Sequence, residues 1–358
     1  MKKILSAVIC LTSYMTIAAS SLNHIPSEKD MGAYLFTFFN DATHSLFMAV
    51  SYDGYEFTAV NDGKPVIAGD TIAEQHGIRD PHIYRGLDGK FYMALTDLHI
   101  YGKRDGLRDT QWERPDEYGW GNNRGIVLMR SDDLIHWTHN EVRIDKLFPE
   151  KYNEVGCFWA PETIYDPEEG KMMVYFTLRE RGEKLEGGDA ASKRTRLYYA
   201  YTDPEFTTFV SEPKELFVYP NPDIQILDAD IMPMPDGRYF MTYCAQEHHG
   251  GVKYAISDKI NRGYVYHEGR IDTEPRSCEA PTTWKRIGED KWVVMYDVFS
   301  ITPHNFGFVE TSDFKTFTPL GRFNEGPMKA TNFQSPKHGA VIHITKEEAK
   351  RLEDYWRH

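Results

Sequence analysis

Three carboxylates in this 358-residue chain stand at one fixed distance from a turn glycine. Asp80 precedes Gly89 by nine residues, Asp228 precedes Gly237 by nine, and Glu279 precedes Gly288 by nine. The fullest copy is Arg79-Asp80-Pro81-His82-Ile83-Tyr84-Arg85, followed by Asp88-Gly89 and then Phe91-Tyr92-Met93-Ala94-Leu95. It reads as an acid at the head of an alternating strand, a glycine turn and a returning strand. Carboxylates gathered at strand heads are costly to bury unless they share protons or meet cations, so the pattern points to chemistry rather than to capping. In a fourth copy the equivalent place is held by Pro161, within Trp159-Ala160-Pro161-Glu162.

Positioning these acids requires a repeated element, and a second motif supplies its count. A Ser/Thr and Asp pair followed by a bulky apolar residue occurs five times: Ser51-Tyr52-Asp53, Ser131-Asp132-Asp133, Thr202-Asp203, Ser257-Asp258 and Ser312-Asp313. Each copy follows a β-type run, which makes it a tight turn capped by a short oxygen-bearing side chain. Five such units predict an all-β fold, a five-bladed β-propeller of small antiparallel sheets. The first unit has no inner strand of its own before it, so the run from 338 to 344 is expected to complete that sheet and close the ring. Thr345 and Glu348 form the sequence of a capping box for a short C-terminal helix.

In a propeller the first strand of every blade lines the central channel, and the three acids would converge on one cavity. The loops 96–123, 179–195, 245–251 and 300–305 return to that face. The first carries Trp112, Tyr118 and Trp120, along with Arg104, Arg108 and Arg114; its aromatic faces suit either stacking on sugar rings or a packed loop core.

Composition narrows the partners. The net charge of −13 disfavours nucleic acid, whose phosphates such a surface repels. Lys2 and Lys3, an apolar run from Ile4 to Ile17 and the small residues at 18–21 have the form of a signal peptide, here assigned to residues 1–20. The expectation is a secreted or periplasmic monomer, with residues 21–358 as one catalytic domain and no membrane partner. Cys157, Cys244 and Cys278 then remain, an odd number without CxxC spacing, which predicts buried thiols.

Asp80-Pro81, Trp159-Ala160-Pro161-Glu162, Leu227-Asp228-Ala229-Asp230, Glu279-Ala280-Pro281 and Lys337-His338-Gly339, in this order, resemble the motifs of glycoside hydrolase family 43, the five-bladed arabinofuranosidases and xylosidases. The resemblance implies that Asp80 is the general base, Glu279 the general acid and Asp228 the third carboxylate that tunes and orients the acid. It implies an inverting hydrolase of an oligo- or polysaccharide, an α-L-arabinofuranoside or a β-xyloside, with β-galactofuranoside as a further option. Inverting chemistry needs one carboxylate to activate water and another to protonate the leaving oxygen. The sequence departs from the family at Ala229, where many relatives carry Pro, and at Ala280, where Gly is usual. Asp228 is preferred over Asp230 for its nine-residue spacing, Glu325 is read as a decoy, and Glu162 as structural or at the edge of the site.

The remaining candidates contact substrate or metal. Trp159, His248, His249, His338 and Arg79 are read as substrate-binding residues. No cofactor is required, but His338 resembles a family histidine near the channel centre that can hold a calcium ion through water. The rival readings are a retaining glycosidase of a related propeller family and a glycan-binding propeller without catalysis.

Overall fold

Twenty-one strands among the described residues form five sheets, antiparallel except where Lys329–Ala330 joins one outer edge in parallel. The computed structural model describes residues 25–102, 104–107, 123–153, 155–179, 194–247 and 250–357. The first blade consists of Ile78–Arg85, Phe91–Asp97, Gly125–Ser131 and Trp137–Arg143, in that order from the channel outward. The inner strands of the next three are Cys157–Asp166, Ile226–Pro233 and Glu279–Lys285. In the fifth, the C-terminal strand Lys337–Thr345 lies innermost and pairs with Met31–Phe39, so the two ends of the fold share one sheet, as expected.

The second strand of a blade is covered on both faces by neighbouring sheets, and its sequence reflects this. Trp292–Val298 is a Trp-Val-Val-Met-Tyr-Asp-Val run in which every residue is buried. Five hydrophobic clusters fill the structure, one at each interface between adjacent blades. Between the fourth and fifth blades the cluster is an aromatic ladder, with Phe36 against Phe38 at 4.8 Å and Phe308 against Phe323 at 4.7 Å between ring centroids. Such pairs add ~0.5–1.5 kcal/mol each beyond the area they bury.

The predicted turns join third to fourth strands on the face opposite the acids. Asp53 Oδ1 accepts the N–H groups of Tyr55 and Glu56, and Asp133 Oδ1 those of Ile135 and His136. In the last copy the hydroxyl that caps is that of Thr311 and not Ser312, because the spacing that closes the turn is Ser/Thr-x-Asp. The C-terminal helix Lys346–Trp356 starts at the expected box: Thr345 Oγ1 accepts the Glu348 N–H at 3.1 Å and Glu348 Oε2 the Thr345 N–H at 2.8 Å. Among the described residues no helix is long and apolar enough to cross a membrane, and the expected signal peptide lies outside them.

One irregularity recurs on every inner strand and sets the site. The pairing slips at a β-bulge between Arg79 and His82, Trp159 and Glu162, Leu227 and Asp230, and Glu279 and Thr282. The bulged residues Asp80, Ala160, Asp228 and Ala280 have φ of 52°, 46°, 53° and 51°, the left-handed region that a side chain disfavours. In three of the four a proline follows, and its missing N–H removes the donor that a bulge would strand. The fifth inner strand slips between Lys337 and Gly339, at His338.

This corrects the nine-residue register. Structurally, Asp80, Ala160, Asp228, Ala280 and His338 share a level, and Glu279 stands one residue before its bulge. The hairpin after Ala280 is one residue shorter than those of the first and third blades, and the hairpin after Ala160 one longer, so counting back from the glycine misplaces both.

Candidate active site

The bulges turn consecutive side chains toward the channel, which a regular strand cannot do because neighbours alternate. Asp80, Asp228, Glu279, Arg79, Trp159 and His338 consequently line one cavity of about 400 Å³ at the mouth of the channel.

Asp80 is held on both oxygens. Its Oδ2 accepts the Thr96 hydroxyl at 2.7 Å, and His338 Nδ1 stands 3.3 Å from Oδ1. Burial alone would raise its pKa, but the His338 hydrogen bond and charge, the nearby Arg79 guanidinium and the Thr96 hydroxyl hold it at about 2. Arg79 is fixed in turn by Asp41, 2.7 Å from Nη1, and lies with its guanidinium 4.5 Å from the Phe39 ring centroid.

Asp228 and Glu279 titrate the other way. Burial lifts Asp228 to about 6; the charge of His338 pulls it down and that of Asp80 pushes it up. Glu279 is lifted to about 8, by burial first and the Asp228 charge second, with Lys337 opposing. Asp228 is anchored through its backbone, whose N–H donates to Thr177 Oγ1 at 2.9 Å, while its carboxylate accepts the Ala280 N–H. That last contact ties the third blade to the fourth immediately beside Glu279. Near neutral pH the cavity therefore holds two ionised carboxylates, Asp80 and Asp228, and one carboxyl that keeps its proton, Glu279.

A family model described as a probable glycosyl hydrolase domain, of the group related to family 43, matches residues 29–350. The chain belongs to this family.

Among known proteins, this family 43-related chain is similar to an α-L-arabinofuranosidase of Bifidobacterium longum, at 26% identity over 133 residues, 36% of this chain and 11% of that protein. It is also similar to a 1,2-β-oligomannan phosphorylase of Thermoanaerobacter, at 34% identity over 111 residues, 29% of this chain and 30% of that one. The chain thus spans less than a third of each of these relatives. The crystal structure of a thermostable family-43 glycoside hydrolase superposes with a TM-score of 0.51 at 15% identity, covering 76% of this chain and 81% of that one. This agreement is one of fold, the five-bladed propeller.

Beneath the level of Asp80 and Asp228 in this family 43-related chain lies a second polar level, two residues past the bulges: His82, Glu162 and Asp230. Glu162, expected to be structural or at the edge of the site, lies under its floor, with Tyr175 donating to Oε2 at 2.8 Å and His338 Nε2 3.9 Å from Oε1. Burial and the neighbouring Asp230 charge push its pKa well up, and burial raises Asp230 to about 7. Asp230 faces this level and Asp228 the cavity.

The resemblance implies a calcium held through water at His338, and the ring itself offers such an ion no direct ligand. Both ring nitrogens face carboxylates, Asp80 on one side and Glu162 on the other. Against the cost of burial the Asp80 carboxylate first, with the Glu162 carboxyl and the Asp228 charge, favours the doubly protonated imidazolium, which has no lone pair to offer. His82 does not fit either: its Nδ1 accepts the Thr163 N–H at 3.1 Å, so the neutral ring carries its proton on Nε2, the atom turned toward Glu162.

Of the other sequence candidates, Trp159 walls the cavity with the Arg179 guanidinium 5.8 Å from its ring centroid. His248 and His249 lie outside the described residues, as do Arg108, Trp112, Arg114, Tyr118 and Trp120. Glu325 is exposed at an outer edge, 3.6 Å from Arg322, as befits a decoy. Sequence reasoning missed Thr96, Lys337 and the Gln225–Gln246 amide pair, joined at 3.1 Å on the cavity wall. A signal existed for Thr96 and Thr177, which occupy the same position on the second strands of two successive blades.

Proposed function

We propose that this protein is an inverting glycoside hydrolase in which Asp80 is the general base, Glu279 the general acid and Asp228 the carboxylate that keeps Glu279 protonated. The observation that carries the reading is the opposite titration of two carboxyls in one cavity, Asp80 near 2 and Glu279 near 8. Asp80 accepts a proton from water as the water oxygen bonds to the anomeric carbon. Glu279 gives its proton to the glycosidic oxygen as the bond from that oxygen to carbon breaks. Asp228, ionised first of the pair, makes ionisation of Glu279 harder, which is what a general acid working near neutrality needs.

The substrate in this reading is an α-L-arabinofuranoside or β-xyloside of an oligo- or polysaccharide, supported by the family resemblance and the similarity to an arabinofuranosidase. It is met outside the cytoplasm by an exported, monomeric enzyme. Aryl glycosides of arabinofuranose, xylose and galactofuranose test the sugar, and NMR of the first-released anomer tests inversion. The reading fails if Glu279→Gln and Asp80→Asn keep near-normal turnover on every substrate the wild type cleaves.

Phosphorolysis is a second reading, favoured by the cations Arg79, Arg179 and Lys337 on the cavity wall, which suit an anionic acceptor. It predicts a sugar 1-phosphate in place of free sugar when inorganic phosphate is supplied.

A further inference from the structure

Lys337 precedes the bulge of the fifth inner strand as Glu279 precedes that of the fourth, so both side chains enter the cavity from adjacent blades at one level. The lysine side chain is 8% exposed, and its ammonium lies 3.5 Å from Asp297 Oδ2, on a carboxylate with no exposure at all. Asp297 is the cross-strand partner of Glu279, and the same Oδ2 accepts the His338 N–H at 3.4 Å. Its Oδ1 is buried without a hydrogen-bond partner. Lys337 and Asp297 thus form a buried pair set directly against the fourth and fifth inner strands. Burial disfavours the charged lysine, but the Asp297 carboxylate, joined by Glu279 once that group ionises, outweighs it and keeps the ammonium protonated.

We propose that Lys337 is a positioning residue for the general acid: its ammonium, anchored by Asp297, stabilises the Glu279 carboxylate that appears as the proton leaves. This rests on Glu279 being the acid. In that step the O–H bond of Glu279 breaks, the proton joins the glycosidic oxygen, and the electron pair of the breaking carbon–oxygen bond stays on that oxygen. The groups facing Glu279 are Asp228 from the third blade, Asp297 from its own sheet, Lys337 and His338 from the fifth blade, and the Cys244 thiol. Asp228 and Asp297 oppose ionisation of Glu279 and so hold its proton in the resting state. Lys337 acts in the opposite sense, and its influence grows as negative charge develops, which is the condition for stabilising a transition state rather than a ground state.

The test is a leaving-group series of aryl and alkyl glycosides of one cleaved sugar, run with the full-length protein and its Lys337→Met, Lys337→Arg and Glu279→Gln variants. Lys337→Met should lower kcat on alkyl glycosides by on the order of 10–100-fold. It should barely change the dinitrophenyl glycoside, which leaves without a proton. The basic limb of its pH profile should move to higher pH, and Lys337→Arg should restore most of the loss. Lys337→Gln gives the same reading if the methionine variant does not fold. A loss equal across the series, or one confined to KM, overturns the proposal and leaves Lys337 a structural or substrate contact. If Glu279→Gln shows a rising loss with leaving-group pKa and Lys337→Met does not, only the role of Lys337 falls. If neither does, Glu279 is not the acid and both assignments fall together.

Discussion

The Thr96 hydroxyl donates to Asp80 Oδ2 at 2.7 Å and has no freedom to do otherwise. Its oxygen already accepts the Ala160 N–H of the next blade at 2.8 Å, so its hydrogen is aimed at the carboxylate. If Asp80 is the base proposed above, fixing one of its oxygens leaves it a defined direction for water.

Thr96→Val should therefore reduce kcat by roughly tenfold with both limbs of the pH profile unmoved, because a hydrogen bond that orients the ionised carboxylate is lost. It should also destabilise the fold by ~1–3 kcal/mol, since the Ala160 N–H is left buried and unpaired. Thr96→Ser should keep both properties. Steady-state kinetics against pH and urea unfolding measure the two effects separately.

Activity should form a bell bounded by the coupled Asp228–Glu279 pair. The pair loses its first proton near 6 and its second near 8, and only the singly protonated form has an acid beside an anion. The profile of kcat/KM should thus rise to a plateau between these values and fall above about 8. Asp80, held at about 2, stays ionised throughout and contributes no limb in this range. A basic limb that persists unchanged in Glu279→Gln would show that another group sets it.

The same shift makes a stability prediction. The folded-state pKa of Glu279 is raised above its unfolded value, so the favourable contribution of its proton is complete below about 4.5 and is lost as pH climbs toward 8. Glu279→Gln cannot ionise and escapes this penalty. Its melting temperature should match that of the wild type near pH 4 and exceed it at pH 8.5–9, by an amount corresponding to on the order of 1–4 kcal/mol. Thermal melts across pH measure it, and an unchanged difference at both ends would contradict the assignment.

Away from the site, Arg286 is a buried cation at 1% exposure, its Nε 2.6 Å from Glu310 Oε2 and its guanidinium 3.8 Å from the Tyr55 ring centroid. It ties the fourth blade to the fifth. Arg286→Ala should cost about 3 kcal/mol, the low end for breaking a buried pair, because Lys291 still reaches Glu310 at 3.1 Å. Denaturant unfolding checks this, with kcat expected to hold at temperatures where the variant is folded.

What could be read from the chain alone was whatever depends on local chemistry. Alternating apolar runs, capped turns at Asp53, Asp133 and Asp313 and a capping box at Thr345 are short-range devices, and counting them led to five blades closed by the last strand. The acids Asp80, Asp228 and Glu279 were legible because each heads such a strand. Their level was not, since a hairpin one residue longer or shorter leaves the sequence pattern intact while moving a side chain past its bulge; Glu279 and Ala280 show it. Tertiary structure alone decided what surrounds them: Thr96 on a second strand, Lys337 and His338 from the far end of the chain, Glu162 under the floor. None is near the acids in sequence, and what raises Glu279 (burial and the Asp228 charge) and lowers Asp80 (the His338 hydrogen bond and charge, Arg79 and Thr96) exists only once the ring has closed.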